Sequence, residues 1–248
     1  YTTLFRSRRS RKNNKVGAGI KEAIWSVINE GSHLLGVDAL VEWVGSGPKH
    51  VPMTAKQETV ASAVQQSYKS IDERKATVGD MNRLSEYDTD RIAVWREGNG
   101  QLLETVHGTK MTASDIADDL YITAGGETRD SELETLLGQL DSQGVSYDLA
   151  GHSLATQFIQ NAVIDGHATG ADDIFLFNPA SSPLQDTNYL RTNANDDRYT
   201  YFINQGDLVS SGLYQQMNQD TMDNRVHMGP YRYDPLQAHY MDQWVPEE

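Results

Sequence analysis

Apolar positions change their period along the chain. From Val16 to Val44, Ile20, Ile24, Val27, Ile28, Leu34, Leu35, Leu40, Val41 and Val44 recur at helical spacing, with interruptions near Gly31 and Gly36. This predicts one or two amphipathic helices. A break at 45–48 follows, after which Thr54 is placed to cap a helix running to about Thr77, with Val60, Ala63, Val64, Tyr68 and Ile71 on one face. Beyond residue 90 the pattern becomes short β-rich runs between helical ones. The runs 91–97 and 102–108 flank Gly98, Asn99 and Gly100 and read as a hairpin. Helices are predicted at 112–122 and at 130–142, the second through Leu133, Leu136, Leu137 and Leu140. Strands follow near 145–150, 173–177 and 199–204, with a helical pattern over 152–166 between the first two.

Strand, helix, strand alternation predicts an α/β fold with a mainly parallel central sheet and helices on both faces. The expected organisation is an arm at 1–15, an N-terminal helical extension at 16–80 packed on the body, and an α/β domain at 81–248. No apolar run approaches the 18 or more residues of a transmembrane helix. The chain has no cysteine, which removes disulfides, thiolate metal sites and cysteine nucleophiles together. No two histidines have the spacing of a zinc-binding helix, so neither a catalytic metal nor a cofactor is expected.

Charge separates the arm from the rest. Arg6, Arg8, Arg9, Arg11, Lys12 and Lys15 stand in the first fifteen residues without an acidic neighbour. The remainder then holds 15 basic residues against 35 acidic ones, a formal −20 within a total of −14. The arm Arg6 to Lys15 is expected to be flexible and to suit an anionic partner: nucleic acid, a membrane surface or an acidic protein face. The acidic body should repel polyanions, which argues against an active site built on nucleic-acid phosphates.

One stretch carries candidate chemistry. Residues 145–150 read as a strand and 154–164 as a helix, so Gly151, His152, Ser153, Leu154 and Ala155 lie where strand becomes helix. That is the setting of a nucleophile elbow, in which a tight turn projects a serine oxygen above the sheet. Small residues at 151 and 155 avoid collision with the neighbouring strand and helix. Ala155 stands where G-x-S-x-G has its second glycine.

The elbow Gly-His-Ser-Leu-Ala-Thr (151–156) resembles that of the class 3 lipase family of α/β-hydrolases. The similarity extends over about residues 90–245. Residues 104–120 resemble the family's strand, oxyanion segment and short helix, with His107 in place of the usual arginine. Thr109 matches the residue that helps form the oxyanion hole. Residues 199–213 resemble the segment carrying the acid, which implies Asp207 in that role, with Ser210 where proline is customary. Residues 238–244 resemble the segment bearing the base, which implies His239, with His227 as the rival. His152 is expected to be a packing residue facing away from substrate, and His107 to hydrogen-bond beneath the oxyanion segment.

The implied chemistry is coherent. A serine hydroxyl attacks well only when an imidazole takes its proton, and that imidazole needs a carboxylate to fix its tautomer and balance its charge. Ser153, Asp207 and His239 follow the chain order of α/β-hydrolases. The backbone N–H of Leu154 and Thr109 are the expected oxyanion donors. The resemblance implies a serine carboxylic-ester hydrolase acting on lipid, as a triacylglycerol lipase or phospholipase. Only about thirty residues, 124–151, separate the oxyanion segment from the elbow, so a short or absent lid and an exposed site are expected. Met111, Ile116, Leu154 and Leu213 are candidates for acyl contact. Asp186, Asp196 and Asp197 read as solvated. The alternative is a catalytically idle, lipase-like structural protein, for instance a virion component docked by its arm.

Overall fold

A computed structural model describes residues 52–108, 130–180, 196–205, 207, 210, 225–229 and 235–246. All fall in one compact unit, Pro48–Lys110 with Asp119–Glu248. The arm 1–15, the helices expected over 16–44 and 112–122, and Thr109, Met111, Ile116, Asp186 and Leu213 lie outside the described residues.

Helix α1 (Ala55–Ser67) begins where the sequence places it. Thr54 accepts from the Gln57 amide, and the Gln57 side chain accepts from the Thr54 amide, a reciprocal cap that satisfies two otherwise orphaned donors. Val60, Ala61, Ala63 and Val64 are buried. The helix stops at Ser67 and not near Thr77. The Arg74 guanidinium explains the stop: it donates to Ser67 O at 3.0 Å and Lys69 O at 3.2 Å, taking carbonyls the helix leaves unpaired. Ile71, placed on the buried face by helical spacing, therefore falls beyond the helix and is 40% exposed.

Strands β1 (Thr77–Val78) and β2 (Met81–Arg83) come next, too short to show a period in the sequence. The predicted hairpin forms from β3 (Ile92–Arg96) and β4 (Leu102–His107), closed by Gly100 N–H to Glu97 O at 2.9 Å. Helix α2 (Ser131–Ser142) is capped by Asp130 and buries all four predicted leucines. Strand β5 (Tyr147–His152) runs two residues further than expected and delivers the chain directly to Ser153. Helix α3 (Ala155–Ile164) starts after the turn, not at His152. Then follow β6 (Ala171–Phe177), β7 (Tyr199–Asn204), β8 (Val226–Gly229) and the short helix α4 (Pro235–His239).

The eight strands pair in chain order, β1 to β8. The three pairings from β1 to β4 are antiparallel and the four from β4 to β8 are parallel. The molecule is thus an α/β protein with a mixed, mainly parallel sheet. Successive strand residues face opposite sides. Ala150 joins Trp95, Leu103, Phe175, Phe177 and Phe202 in a core that includes Val60 and Val64 of α1. Gly151, next along β5, faces Ile159 and Ala155 of α3. Helices therefore cover both faces. Lys56 of α1 also reaches the buried Asp148 carboxylate at 2.7 Å, tying that helix to the amino end of β5.

On the sheet face opposite this core, one buried carboxyl group is unpartnered among the described residues. Glu104 on β4 is fully buried, and neither oxygen has a hydrogen-bond partner among the described residues. Burial, helped by the Asp141 charge, pushes its pKa up to about 8. A folded-state pKa above the unfolded value means that this group's contribution to stability is full below the ordinary carboxyl range and is lost as pH rises from there through about 8. Glu104→Gln should flatten this slope and stabilise the protein at roughly pH 9 by on the order of a few kcal/mol. Urea denaturation of both proteins at roughly pH 5 and pH 9 checks this; parallel pH dependences would exclude Glu104 as the source.

Candidate active site

The carboxyl ends of the parallel strands converge on Ser153, the usual location of ligand sites in such sheets. Ser153 has φ 60°, a left-handed conformation that costs a non-glycine residue about 1–3 kcal/mol. The turn is held by main-chain bonds: Ser153 N–H donates to Phe177 O at 3.1 Å, and Ser153 O accepts from the Thr156 amide and hydroxyl at 3.1 and 2.6 Å. Close packing sets its neighbours. A Cβ at Gly151 would lie 2.6 Å from Ile159 Cδ1 but 3.5 Å from Ala155 Cβ, so the extra methyl of Ala155 is absorbed by the glycine opposite. A Cβ at Gly108 would lie 3.0 Å from both His152 O and Leu154 N, so the end of β4 can press against the elbow only with glycine there.

The structure brings Ser153, Asp207 and His239 together. His239 Nε2 is 2.7 Å from Ser153 Oγ, and His239 Nδ1 is 2.9 Å from Asp207 Oδ2. With His239 in its Nδ1–H tautomer, Ser153 donates to the ring and the ring donates to the carboxylate. Exposure is 3% at Ser153, 3% at Asp207 and 1% at His239. The three side chains are thus buried; the segments 109–129 and 181–195, which follow the carboxyl ends of β4 and β6, lie outside the described residues. Gly108 packs on Ser153 Cβ, Ala180 N–H bonds Ser153 O at 3.3 Å, and the His239 ring lies on the hydroxyl, so three segments contact the serine.

Leu154 opens α3, where main-chain N–H groups have no partner in the helix, and its amide makes no hydrogen bond among the described residues. It is available to an anion beside Ser153. Thr109 lies outside the described residues. His227 sits in β8, stacked 4.8 Å over Phe202 and accepting from Gln57 Nε2 at 3.2 Å. That is the environment of a satisfied strand histidine. His107 bonds Asp90 O at 3.0 Å and the carbonyl of Gly108. Asp196 is half-buried and holds Arg198 through two oxygens, which with the arginine's charge keeps its carboxyl below the ordinary range, so it is not solvated.

Several residues at the site were not singled out by sequence. Ser210, noted only as a departure from proline, donates its hydroxyl to Asp207 Oδ2 at 2.7 Å. Asn178 (φ 41°) and Asn204 hold the main chain around His239. Asn178 Nδ2 donates to His239 O at 3.0 Å, and Asn204 Nδ2 donates to Ala238 O at 2.7 Å. Both asparagines directly follow or end apolar strands, where a buried amide is unusual; that was the available signal. No metal-binding group of histidine and carboxylate side chains occurs among the described residues.

No protein-family model matches the chain, and comparison with curated proteins finds no matching relative.

Proposed function

We propose that this protein is a serine hydrolase of carboxylic esters, an α/β-hydrolase similar to class 3 lipases, and that its substrates are lipids. The observation that carries the reading is the unbroken contact from Ser153 Oγ through the His239 ring to Asp207, 2.7 and 2.9 Å, beginning at a serine held at φ 60° between strand and helix. A serine that serves only a turn gains nothing from a buried imidazole and carboxylate aligned behind it.

In this mechanism Ser153 Oγ attacks the ester carbonyl carbon as its proton passes to His239 Nε2, giving a tetrahedral adduct. Asp207 holds the imidazolium and keeps its Nδ1–H directed inward. The Leu154 amide donates to the oxyanion. Collapse expels the alcohol, which takes the proton from His239, and leaves Ser153 acylated. Water, deprotonated by the same imidazole, then releases the acid and restores the serine. The basic arm offers a means of reaching anionic lipid.

A second reading, a catalytically idle scaffold, is favoured by one observation, the 3% exposure of Ser153. A fluorophosphonate probe separates the two. Labelling located at Ser153 by peptide mass spectrometry is expected; folded protein that stays unlabelled supports the scaffold. Triacylglycerol emulsions, phospholipid vesicles and soluble short-chain esters then sort the hydrolytic activities.

Ser210→Ala tests the support of the acid. It removes one hydrogen bond to an ionised, buried carboxylate, so kcat on a soluble ester should fall roughly tenfold with little change in KM. An unchanged kcat would mean that Asp207 is adequately held without the Ser210 hydroxyl.

A further inference from the structure

We propose that Tyr68 and His152 are positioning residues that brace His239 through its main-chain carbonyl. The consequence for turnover rests on the hydrolase reading above; the brace itself does not.

His239 closes a helix of five residues, too short to hold its own last turn. Its terminal carbonyls must be secured from outside. Ala238 O takes donors from Asn204 and Asn178, and His239 O takes Asn178 Nδ2 at 3.0 Å and His152 Nε2 at 2.7 Å. His152 can fill that role only with a hydrogen on Nε2, which leaves Nδ1 as an acceptor. The Tyr68 hydroxyl, 2.6 Å from Nδ1, is the matching donor. Thus a phenol on the turn after α1 selects the tautomer of a histidine on β5, and that histidine fixes the backbone of the base.

The arrangement resists titration. Burial pushes the Tyr68 phenol well above its ordinary range, so it stays an O–H donor. Burial first, and then the nearby charges of His239 and His107, push His152 well below the ordinary imidazole range, so it stays neutral. Neutrality matters because its ring lies 5.0 Å from the His239 ring, where a second positive charge would oppose the imidazolium formed during turnover. Tyr68 is itself packed 4.7 Å from the His107 ring, which Asp90 O anchors.

The test uses the full chain with Tyr68→Phe, His152→Leu and His152→Gln. Tyr68→Phe keeps the packing and removes the tautomer-setting hydroxyl; kcat on a soluble ester should fall about tenfold with KM within about twofold. His152→Leu should lose about a hundredfold, the scale of a misplaced catalytic group, and His152→Gln, whose amide can still donate to His239 O, should recover most of it. In ¹⁵N-histidine NMR, His152 should be the neutral Nε2–H tautomer and become mixed in Tyr68→Phe, with the His239 resonances shifting. Wild-type kcat in Tyr68→Phe and His152→Leu, or an Nδ1–H tautomer at His152 in the wild type, would overturn the brace. If the wild type neither labels nor hydrolyses esters, the hydrolase reading fails instead. The NMR arm then decides alone: shifted His239 resonances in Tyr68→Phe support the brace, and unshifted ones overturn it.

Discussion

Ser153→Ala should cut turnover of a soluble ester by about 10⁶-fold, and Asp207→Asn by about 10⁴-fold. The two losses differ for a physical reason. Removing Oγ deletes the nucleophile and leaves only binding and whatever the Leu154 amide contributes to the oxyanion. Asparagine at 207 keeps shape and hydrogen bonding, but its amide lets His239 adopt the wrong tautomer and no longer balances the imidazolium. Ser210 sharpens the second case, because its hydroxyl now points at Oδ2 and would meet an amide nitrogen if the asparagine side chain turned the wrong way. Alanine at 153 meets the same left-handed φ as serine, so the fold should persist. Steady-state kinetics alongside circular dichroism measures both. An Asp207→Asn variant within tenfold of wild type would remove Asp207 from the triad.

Arg74→Met should destabilise the protein by about 3–5 kcal/mol, lowering the melting temperature by about 10 °C. The guanidinium is buried and donates to Ile92 O at 2.7 Å, Asp90 O at 2.8 Å, Ser67 O at 3.0 Å and Lys69 O at 3.2 Å. It also lies 3.5 Å from the fully buried Asp88 carboxylate. Methionine fills the stem's volume but takes a donor from each of those carbonyls, leaving Asp90 O to His107 and Ile92 O to the Thr89 amide, and leaves the Asp88 carboxylate with Arg83 at 3.4 Å and the Val94 amide. Arg74→Lys should recover only part of the loss, since one ammonium cannot span acceptors arranged for a planar fork. Thermal unfolding followed by circular dichroism decides it; a shift under about 2 °C would mean that these bonds add nothing net.

The parts legible in the sequence were those with a long period or a local signature. The leucines of α2, the hairpin at 98–100, the Thr54 cap and the strand-to-helix setting of Ser153 all depend on residues within a few positions of one another. Strands β1 and β2 span two and three residues, which leaves no period to read. The end of α1 is not readable from local pattern because Arg74, which takes its terminal carbonyl, acts from outside the helix. The same holds at the site. Asp207 and His239 come from resemblance, and His239 lies against Ser153 with Asp207 behind it, but Tyr68, Asn178, Asn204 and Ser210 act through contacts that only the folded chain creates.

The seclusion of Ser153 has a kinetic corollary. On the hydrolase reading proposed above, a serine only 3% exposed is reached by an acyl donor through little open surface, so admission of the ester, more than bond cleavage, is expected to set the pace. Esters with good and poor leaving groups should then turn over at similar speed, whereas solvent viscosity or an adsorbing lipid interface should change the rate for both alike.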